Sequence, residues 1–581
     1  MNSIWKLFKA TSLLAAIALL VSACGGGGSS SPSAVPTVPA ATKLSGKAAA
    51  GAPIIGSVTI KDSSTPAQTK TVPIEADGTY TVDVGALGLK APYMVRADGY
   101  VGGNEYHLYS AGTSADVGGT INITPLTDLI MANIAGSVAK TYFDNGSFSN
   151  LTATQLTTQA DALKAKLLPV LQAMGVSDSI DLLRASFNTD HTGIDAALDI
   201  LKVTTDTTTG VATIKNIITQ EQITSDAKTG TYSAGLTNTA GVATAATDIQ
   251  AINAGFDAFS ALYATSLPSS TNAALLALFD SATFMQEGQN LNTFLSDLTT
   301  DQGMIGIKFT NIAIKSMDAA AGTALIGFSV MQNGILSNDA PETWNMIKKN
   351  GKWYMQGDQR IANVRIKPRS EYQPNSSNTN KITTGLDINI EDRGGKGITS
   401  AVVTGKGLTA PVTLVNQINN SWFTIQGNNG GNQYAMNDSQ IAAIADSGEV
   451  YTVQLYSGST LQATYTEKLK KRPYLNSELT AAMFPTITAP TVTQLHAFTG
   501  GTFIVSWTLP AGLTNDWLEA NIYGNSGDSA RIEFSLLPTD RSKTGTLNPV
   551  TSTGQAFTVT GGGIWLSAWD GFGRQLTVSH Y

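Results

Sequence analysis

One cysteine in 581 residues leaves this chain without an internal disulfide to hold a fold together, so apolar cores must do that work. The same count rules out thiol–disulfide exchange within a monomer. That thiol is Cys24, which closes Val21-Ser22-Ala23-Cys24 and is followed at once by Gly25 to Gly28 and a run of serines. Upstream, Lys6 and Lys9 form a short basic region, and Leu13 to Val21 is an apolar stretch too short to span a bilayer stably. Small residues close it, which is the layout of a signal peptide.

Val21-Ser22-Ala23-Cys24 resembles the lipobox of bacterial lipoproteins. The resemblance implies cleavage between Ala23 and Cys24, with diacylglycerol on the Cys24 sulfur and Cys24 as the mature N-terminus. A plain secretory signal with an incidental cysteine is the other reading. Lipoproteins of diderm bacteria with Asp after the cysteine tend to stay in the inner membrane, so Gly25 implies the outer membrane, on a periplasmic or surface-exposed face left open.

Composition narrows the partners. Charged residues are 14% of the chain against about 25% in an average soluble domain, and Gly is frequent at 56 residues. Hydroxyls and amides therefore solvate this surface. A net charge of -7 with pI near 5.2 gives no electrostatic footprint for nucleic acid. After Val21 no apolar run approaches the roughly 18 residues of a spanning helix, which leaves acyl chains as the membrane anchor. At this length about four domains are expected.

The reading along the chain is a multidomain α+β protein, mostly β, with β-sandwiches flanking a helical section and an α+β cone. Residues 1–23 are the signal peptide, and 24–42 form a Gly/Ser/Pro linker whose composition cannot bury a core. In 43–111, Val58 and Ile60, then Val72 and Ile74, alternate with polar residues. Asp77-Gly78 signals a hairpin before Tyr80, Val82 and Val84. The string Gly51 to Asp62 with Ala76-Asp77-Gly78-Thr79-Tyr80 resembles the carboxypeptidase regulatory-like domains of the transthyretin-like group, where such a sandwich is usually a spacer. In 112–246, Thr124 is placed as N-cap with Pro125 at the first helical position, and Leu156 to Met174 gives an amphipathic helix bent at Pro169.

Residues 247–370 begin with a helical stripe, Ile249, Ile252, Phe256, Phe259 and Tyr263, and a second apolar helix is expected over Ala274 to Phe284. Strands follow, ending in the hairpin Trp344 to Gln359 turned at Asn350-Gly351. Helices before a long-stranded sheet with that hairpin resemble the nuclear-transport-factor-2-like (SnoaL-like) family, which implies a cone often enclosing an apolar pocket. Residues 371–486 show short strands at regular spacing, as in a sandwich. In 487–581, Trp507 on Phe503 to Pro510, with closing strands around Trp565 and Trp569, is similar to fibronectin type III domains; the resemblance implies Trp507 as the buried core tryptophan.

Candidate chemistry is sparse. His107 reads as a partly buried histidine rather than a ligand, since no second His or Cys lies near. Asp190-His191 with Asp195 and Asp199 is the only crowding of His and carboxylates; Asp195 and Asp199, four apart, can share a helix face, and first-turn surface acids are the expectation. No histidine falls between His191 and His496, so the cone lacks a group that titrates near neutrality unless Asp280 or Asp358 is raised; Asp280 reads as a helix-surface carboxylate. Trp344, Trp353 and Tyr354 line a pocket or hold the hairpin by cross-strand pairing. Asp387, Asn389 and Glu391 alternate along one strand, as an outward polar row or as oxygen ligands for calcium. Trp517, Trp565 and Trp569 form a packed second layer or an exposed binding face.

No Gly-x-Ser-x-Gly, Walker or zinc pattern occurs. No catalytic, cofactor-binding or metal residue is assigned and no cofactor is expected. The sequence reads as a non-catalytic lipoprotein of the cell envelope, a binding, adhesion or scaffold protein for protein or glycan partners. A periplasmic carrier or sensor with a small apolar ligand in the cone is the alternative, and a hydrolase or isomerase the third.

Overall fold

The computed structural model describes residues 42–581 except 333–334, 337–341, 378–380, 418–421, 429–430, 526, 538 and 552. Ala23 and Cys24 lie outside the described residues. The architecture is mostly β, with several separate sandwich sheets, a few helices and no barrel among the described residues.

The first module contains β1 (Lys43–Lys47), β2 (Ile55–Lys61), β3 (Thr69–Pro73), β4 (Thr79–Asp83), β5 (Tyr93–Val101) and β6 (Asn104–Gly112). Strands β1 and β4 make a two-stranded sheet, and the order β3-β2-β5-β6 makes a four-stranded one, all antiparallel. Alternation buries Val58, Ile60, Tyr80 and Val82 between them. The Asp77-Gly78 turn forms with Gly78 at φ 82°, yet it does not make a hairpin, because β3 and β4 go to different sheets. Lys47 of β1 supplies the pull: its Nζ donates to Asp77 Oδ2 at 2.7 Å and to Thr79 Oγ1 at 2.8 Å.

Four helices and a small sheet follow: α1 (Pro125–Ala135), α2 (Ala139–Asn145), α3 (Ala153–Ala173), α4 (Gly193–Ile200), then β7 (Leu201–Thr205), β8 (Val211–Asn216), β9 (Gln222–Asp226) and β10 (Thr231–Tyr232) in antiparallel order β10-β9-β8-β7. Thr124 caps α1 by accepting from Thr127 N–H, Pro125 holds the first position, and Gly136 at φ 64° ends it. Such a cap is worth about 1 kcal/mol. Helix α3 runs on through Pro169.

Next come α5 (Val242–Leu262), α6 (Ala273–Leu276), α7 (Leu291–Thr300), β11 (Ile307–Asp318), β12 (Thr323–Gln332), β13 (Ile335–Leu336), β14 (Glu342–Lys349) and β15 (Lys352–Gly357). Strands β11-β12-β14-β15 form an antiparallel meander with β13 on β12. Asn350 at φ 50° and Gly351 at φ 78° make the expected two-residue turn. The helix expected over 274–284 stops at Leu276, because the chain then lies along β15: Met355 N–H donates to Leu278 O at 2.8 Å and Asp280 N–H to Met355 O at 3.0 Å. One apolar cluster runs from Met94 and Tyr109 through α1, α3 and α5 to Trp344 and Met355.

The rest of the chain gives β16 (Asn363–Tyr372), β17 (Ile382–Glu391), β18 (Ser400–Thr404), β19 (Val412–Asn416), β20 (Phe423–Ile425), β21 (Gln433–Ala435), α8 (Asp438–Ala442), β22 (Val450–Ser457) and β23 (Thr460–Lys468). It continues with β24 (Thr486–Ala489), α9 (Val492–His496), β25 (Gly501–Thr508), β26 (Thr514–Tyr523), β27 (Ser529–Ser535), β28 (Ser542–Leu547), β29 (Gly561–Trp569) and β30 (Gln575–His580). One seven-stranded sheet, β21-β17-β16-β30-β29-β26-β27, serves both halves. Its β16–β17 end packs under the sheet β20-β19-β18-β22-β23, around Ile366, Ile388, Val403 and Leu455. Its β26–β29–β30 end packs under β24-β25-β28, around Val505, Trp507, Ile522 and Ile564. The halves meet where β16 and β30 pair in parallel, Ser370 opposite Leu576 and Tyr372 opposite Val578. Trp507 is the core tryptophan, 2% exposed, with Nε1 donating to Asn515 Oδ1 at 2.9 Å. Trp569 is buried under Lys367, while Trp517 is part-buried and part-buried Trp565 stacks on exposed Tyr581, so of the three only Trp569 is fully packed.

Truncating Leu576, 1% exposed on β30, to Ala is expected to cost about 2–5 kcal/mol and to lower the stability of 363–581 in one transition. Urea unfolding followed by Trp fluorescence and far-UV circular dichroism checks this; a loss confined to one sandwich would mean that the halves unfold independently.

Candidate functional site

His191, Asp195 and Asp199 come together as their spacing allows, but not on a surface. Asp190 Oδ1 accepts from Thr192 N–H at 3.1 Å and hydroxyl at 2.6 Å, which starts α4, and His191 just before it takes a left-handed φ of 59°. Asp195 reaches back, its Oδ2 accepting His191 N–H at 2.8 Å. One turn later, Asp199 Oδ2 lies 2.8 Å from His191 Nδ1. Both carboxylates are 0% exposed, so the expectation of surface acids is corrected. The reason is the first sandwich, whose Gly51 turn covers the helix: a Cβ on Gly51 would meet Asp199 Oδ1 at 2.7 Å. Thr189 Oγ1 also donates to Asp77 O at 3.0 Å across this seam.

Burial sets the protonation here. It pushes Asp195 up to about 7, helped by the charge of Asp199 and opposed by His191. Burial likewise raises Asp199, with His191 and Lys202 pulling the other way. His191 is raised although burial opposes it, because Asp199 and Asp195 outweigh that cost. The cluster therefore holds more protons at neutral pH than the same residues do in water. A His–Asp pair serves general-base chemistry when a nucleophile stands at the second ring nitrogen. Among the described residues no hydroxyl bonds that nitrogen, and Asp195 Oδ1 and Asp199 Oδ1 have no hydrogen-bond partner.

A second joint lies on β11. Asn311 takes φ 55° at a bulge between Thr310 and Ala313, and its side chain bridges to the first sandwich. Its Oδ1 accepts from Gly102 N–H at 2.6 Å and its Nδ2 donates to Pro53 O.

The third cluster sits where β15 hands over to β16. Asp358 Oδ1 accepts N–H from Glu287 and Arg360, each at 2.9 Å, and burial together with the Glu287 charge raises it to about 7. Glu287, at φ 49°, pairs with Arg393 at 2.8 Å, Arg393 with Glu391 at 2.5 Å, and Arg365 with Glu342 at 2.7 Å. Gly288 permits the approach, since a Cβ there would meet Ile361 O at 2.4 Å. Asp358 is thus the raised acid the sequence pointed to, at a module seam. Asp280 is buried rather than helix-surface, and although burial pushes it up, Lys349 at 2.7 Å and Thr283 hold it below its usual value.

The interior of the α+β module is filled with rings. Trp344, 3% exposed, has Phe328 at 5.3 Å, Phe309 at 5.7 Å, and Phe256 and Phe294 at 6.1 Å between centroids. Trp344 faces Ile326 across the sheet and Trp353 faces Lys348, so aromatic cross-strand pairing does not hold the hairpin. Asp387 and Asn389 oppose Lys367 and Arg365 on β16, whereas Glu391 is buried and bound to Arg393 two residues on, so the row faces outward only in part. His107 is half exposed, with Asp98 at 2.7 Å raising it.

No protein-family model and no curated protein matches the chain. Among solved structures, the FN1-FN3 domains of chicken CNTN1 match at 10% identity, 46% of this chain and 96% of that one, with TM-score 0.13. A Ca2+-stabilized adhesin of an Antarctic bacterium that binds ice matches at 11% identity, 93% and 98% coverage, with TM-score 0.12. Scores of this size mark no common arrangement and assign nothing to this chain.

Two outcomes follow from these clusters. An acid raised on folding binds its proton more tightly in the folded chain, so stability present at low pH is lost as pH climbs from the unfolded value near 4 through about 7. Asp195→Asn removes that loss, on the order of 4 kcal/mol between pH 4 and 8. Unfolding free energies at several pH values check it, and parallel curves for the two proteins would refute it. Trp344→Ala is expected to cost about 3–5 kcal/mol, read by urea unfolding, because the ring cluster loses its hub; a change under about 1 kcal/mol would mean a hollow interior.

Proposed function

We propose that this chain is a lipid-anchored protein of the outer membrane that works without catalysis, as a binding, adhesion or scaffold protein at the cell envelope. The observation that carries the reading is the placement of the sole thiol, Cys24, at the end of a signal-peptide layout and ahead of a Gly/Ser/Pro linker. An acylated Cys24 would tether the modules through a segment of about 17 residues with a reach of roughly 20–25 Å. Two acyl signals anchor stably where one does not. Among the described residues no helix is long and apolar enough to cross a membrane, so an anchor of this kind would be supplied by lipid.

The buried acids and bases support a structural use. His191 with Asp195 and Asp199 lies against the first sandwich, and Glu287 of the α+β module pairs with Arg393 beside β17, so each cluster sits within a joint. Protein or glycan partners fit a surface poor in charge and rich in amides and hydroxyls. The ring-filled α+β module weighs against carriage of a ligand inside it.

Mass spectrometry of the mature N-terminus from a diderm host decides the anchor. The expected peptide begins at Cys24 and carries diacylglycerol, and Cys24→Ala is expected to release the protein from the membrane fraction. A mature chain beginning elsewhere, with Cys24 absent or unmodified, would end the proposal.

A further inference from the structure

The C-terminal sandwich does not close fully over its core. A cavity of about 250 Å³ lies between its two sheets, walled by Phe503, Ile504 and Leu547 on one and by Ala520 and Ile522 on the other. Leu495 and Phe498, from α9 and just after it, form the third side. Ala520, Ile522 and Leu547 are buried floor, while Ile504, 56% exposed, lies on the strand face turned away from Val505 and Trp507. Phe498 and Phe503 meet edge to face at 5.5 Å.

Helix α9 cannot sink to fill the space. Thr491 and Gln494 fix its start through a capping box, and Leu495 already rests on Gly562, where a Cβ would come within 3.2 Å of its Cδ1. The polarity of the lining is as telling as its size. No charged side chain lines the cavity, and Gln494 Oε1 accepts from Thr491 N–H at 2.9 Å and its hydroxyl at 3.1 Å. Water needs two to four polar partners to settle in such a space, and an apolar void of about 150 Å³ takes up benzene instead.

We propose that this cavity is a binding site for a neutral alkyl chain lying along Ile522 and Leu547 toward Ala520. No charged side chain in the site offsets a buried carboxylate or ammonium, so the enclosed part of the ligand carries no charge. The site is independent of the lipid anchor, and its test needs no acylated protein.

The experiment uses the chain from Gly25 to Tyr581 with 1-octanol as probe. Binding is expected to raise the melting temperature, followed by near-UV circular dichroism, by about 3–6 °C at ten times the dissociation constant. Ala520→Phe and Leu547→Phe, which fill the cavity from opposite sheets, are expected to abolish the rise. Equilibrium dialysis of labelled 1-octanol with the unaltered chain is expected to give one molecule per chain, a readout that stands even where both variants fail to fold. No rise and no saturable uptake, or an equal rise in a folded filling variant, would overturn the site.

Discussion

The parallel pairing of β16 with β30 is the constraint on which the second half of the molecule depends. Each of the two C-terminal cores has a wall of its own and a wall drawn from the common seven-stranded sheet. Without the seam at Ser370–Leu576 and Tyr372–Val578, that sheet would be two ribbons, each with an unpaired edge. A side chain reinforces it: Ser579 of β30 donates to the buried Glu371 of β16 at 3.1 Å, while Arg369 on β16 itself neutralises that carboxylate at 3.1 Å. In a chain without disulfides, backbone hydrogen bonds and burial take the role of the covalent staple.

One apolar cluster runs through the first half, and polar contacts fix how its modules meet. Charges are scarce in this sequence, yet several of them are spent where modules meet: His191 and Asp199 under Gly51, Glu287 and Arg393 under Gly288. Taking such groups from water is costly, and each pair recovers the cost only in one geometry. A buried pair therefore contributes little net stability but penalises every other docking of the two modules. The bulge at Asn311 acts alike with neutral groups, offering one amide oxygen and one amide nitrogen to two backbone partners of the first sandwich.

Much of this was legible in the residues. Period-of-two alternation located β2, β4 and β17, and Asn350-Gly351 marked its turn because both residues accept positive φ. Thr124-Pro125 marked the start of α1 by local hydrogen-bond chemistry. What failed was decided at long range. Helical spacing over 274–284 is overridden by the β15 edge, and the Asp77-Gly78 turn is drawn to β1 by Lys47. The four-stranded sheet of 201–232 was missed because its strands are short and rich in Thr and Lys. Asp195 and Asp199 shared a helix face as their spacing required, but only the Gly51 turn, far away in sequence, shows that the face is covered. The Glu287–Arg393 pair joins residues 106 apart, and its one local hint is a Gly after each partner.

The seam between β16 and β30 also orders events in time. Glu371 and Ser579 are 208 residues apart, so a chain made or exported from its N-terminus presents β16 long before its neighbour exists. Contacts of such separation form slowly, and an unpaired strand attracts other chains while it waits. Strand β30 thus acts as the closing key for a sheet begun far earlier in the chain, and a chain cut short ahead of it would carry a half-built, adhesive edge.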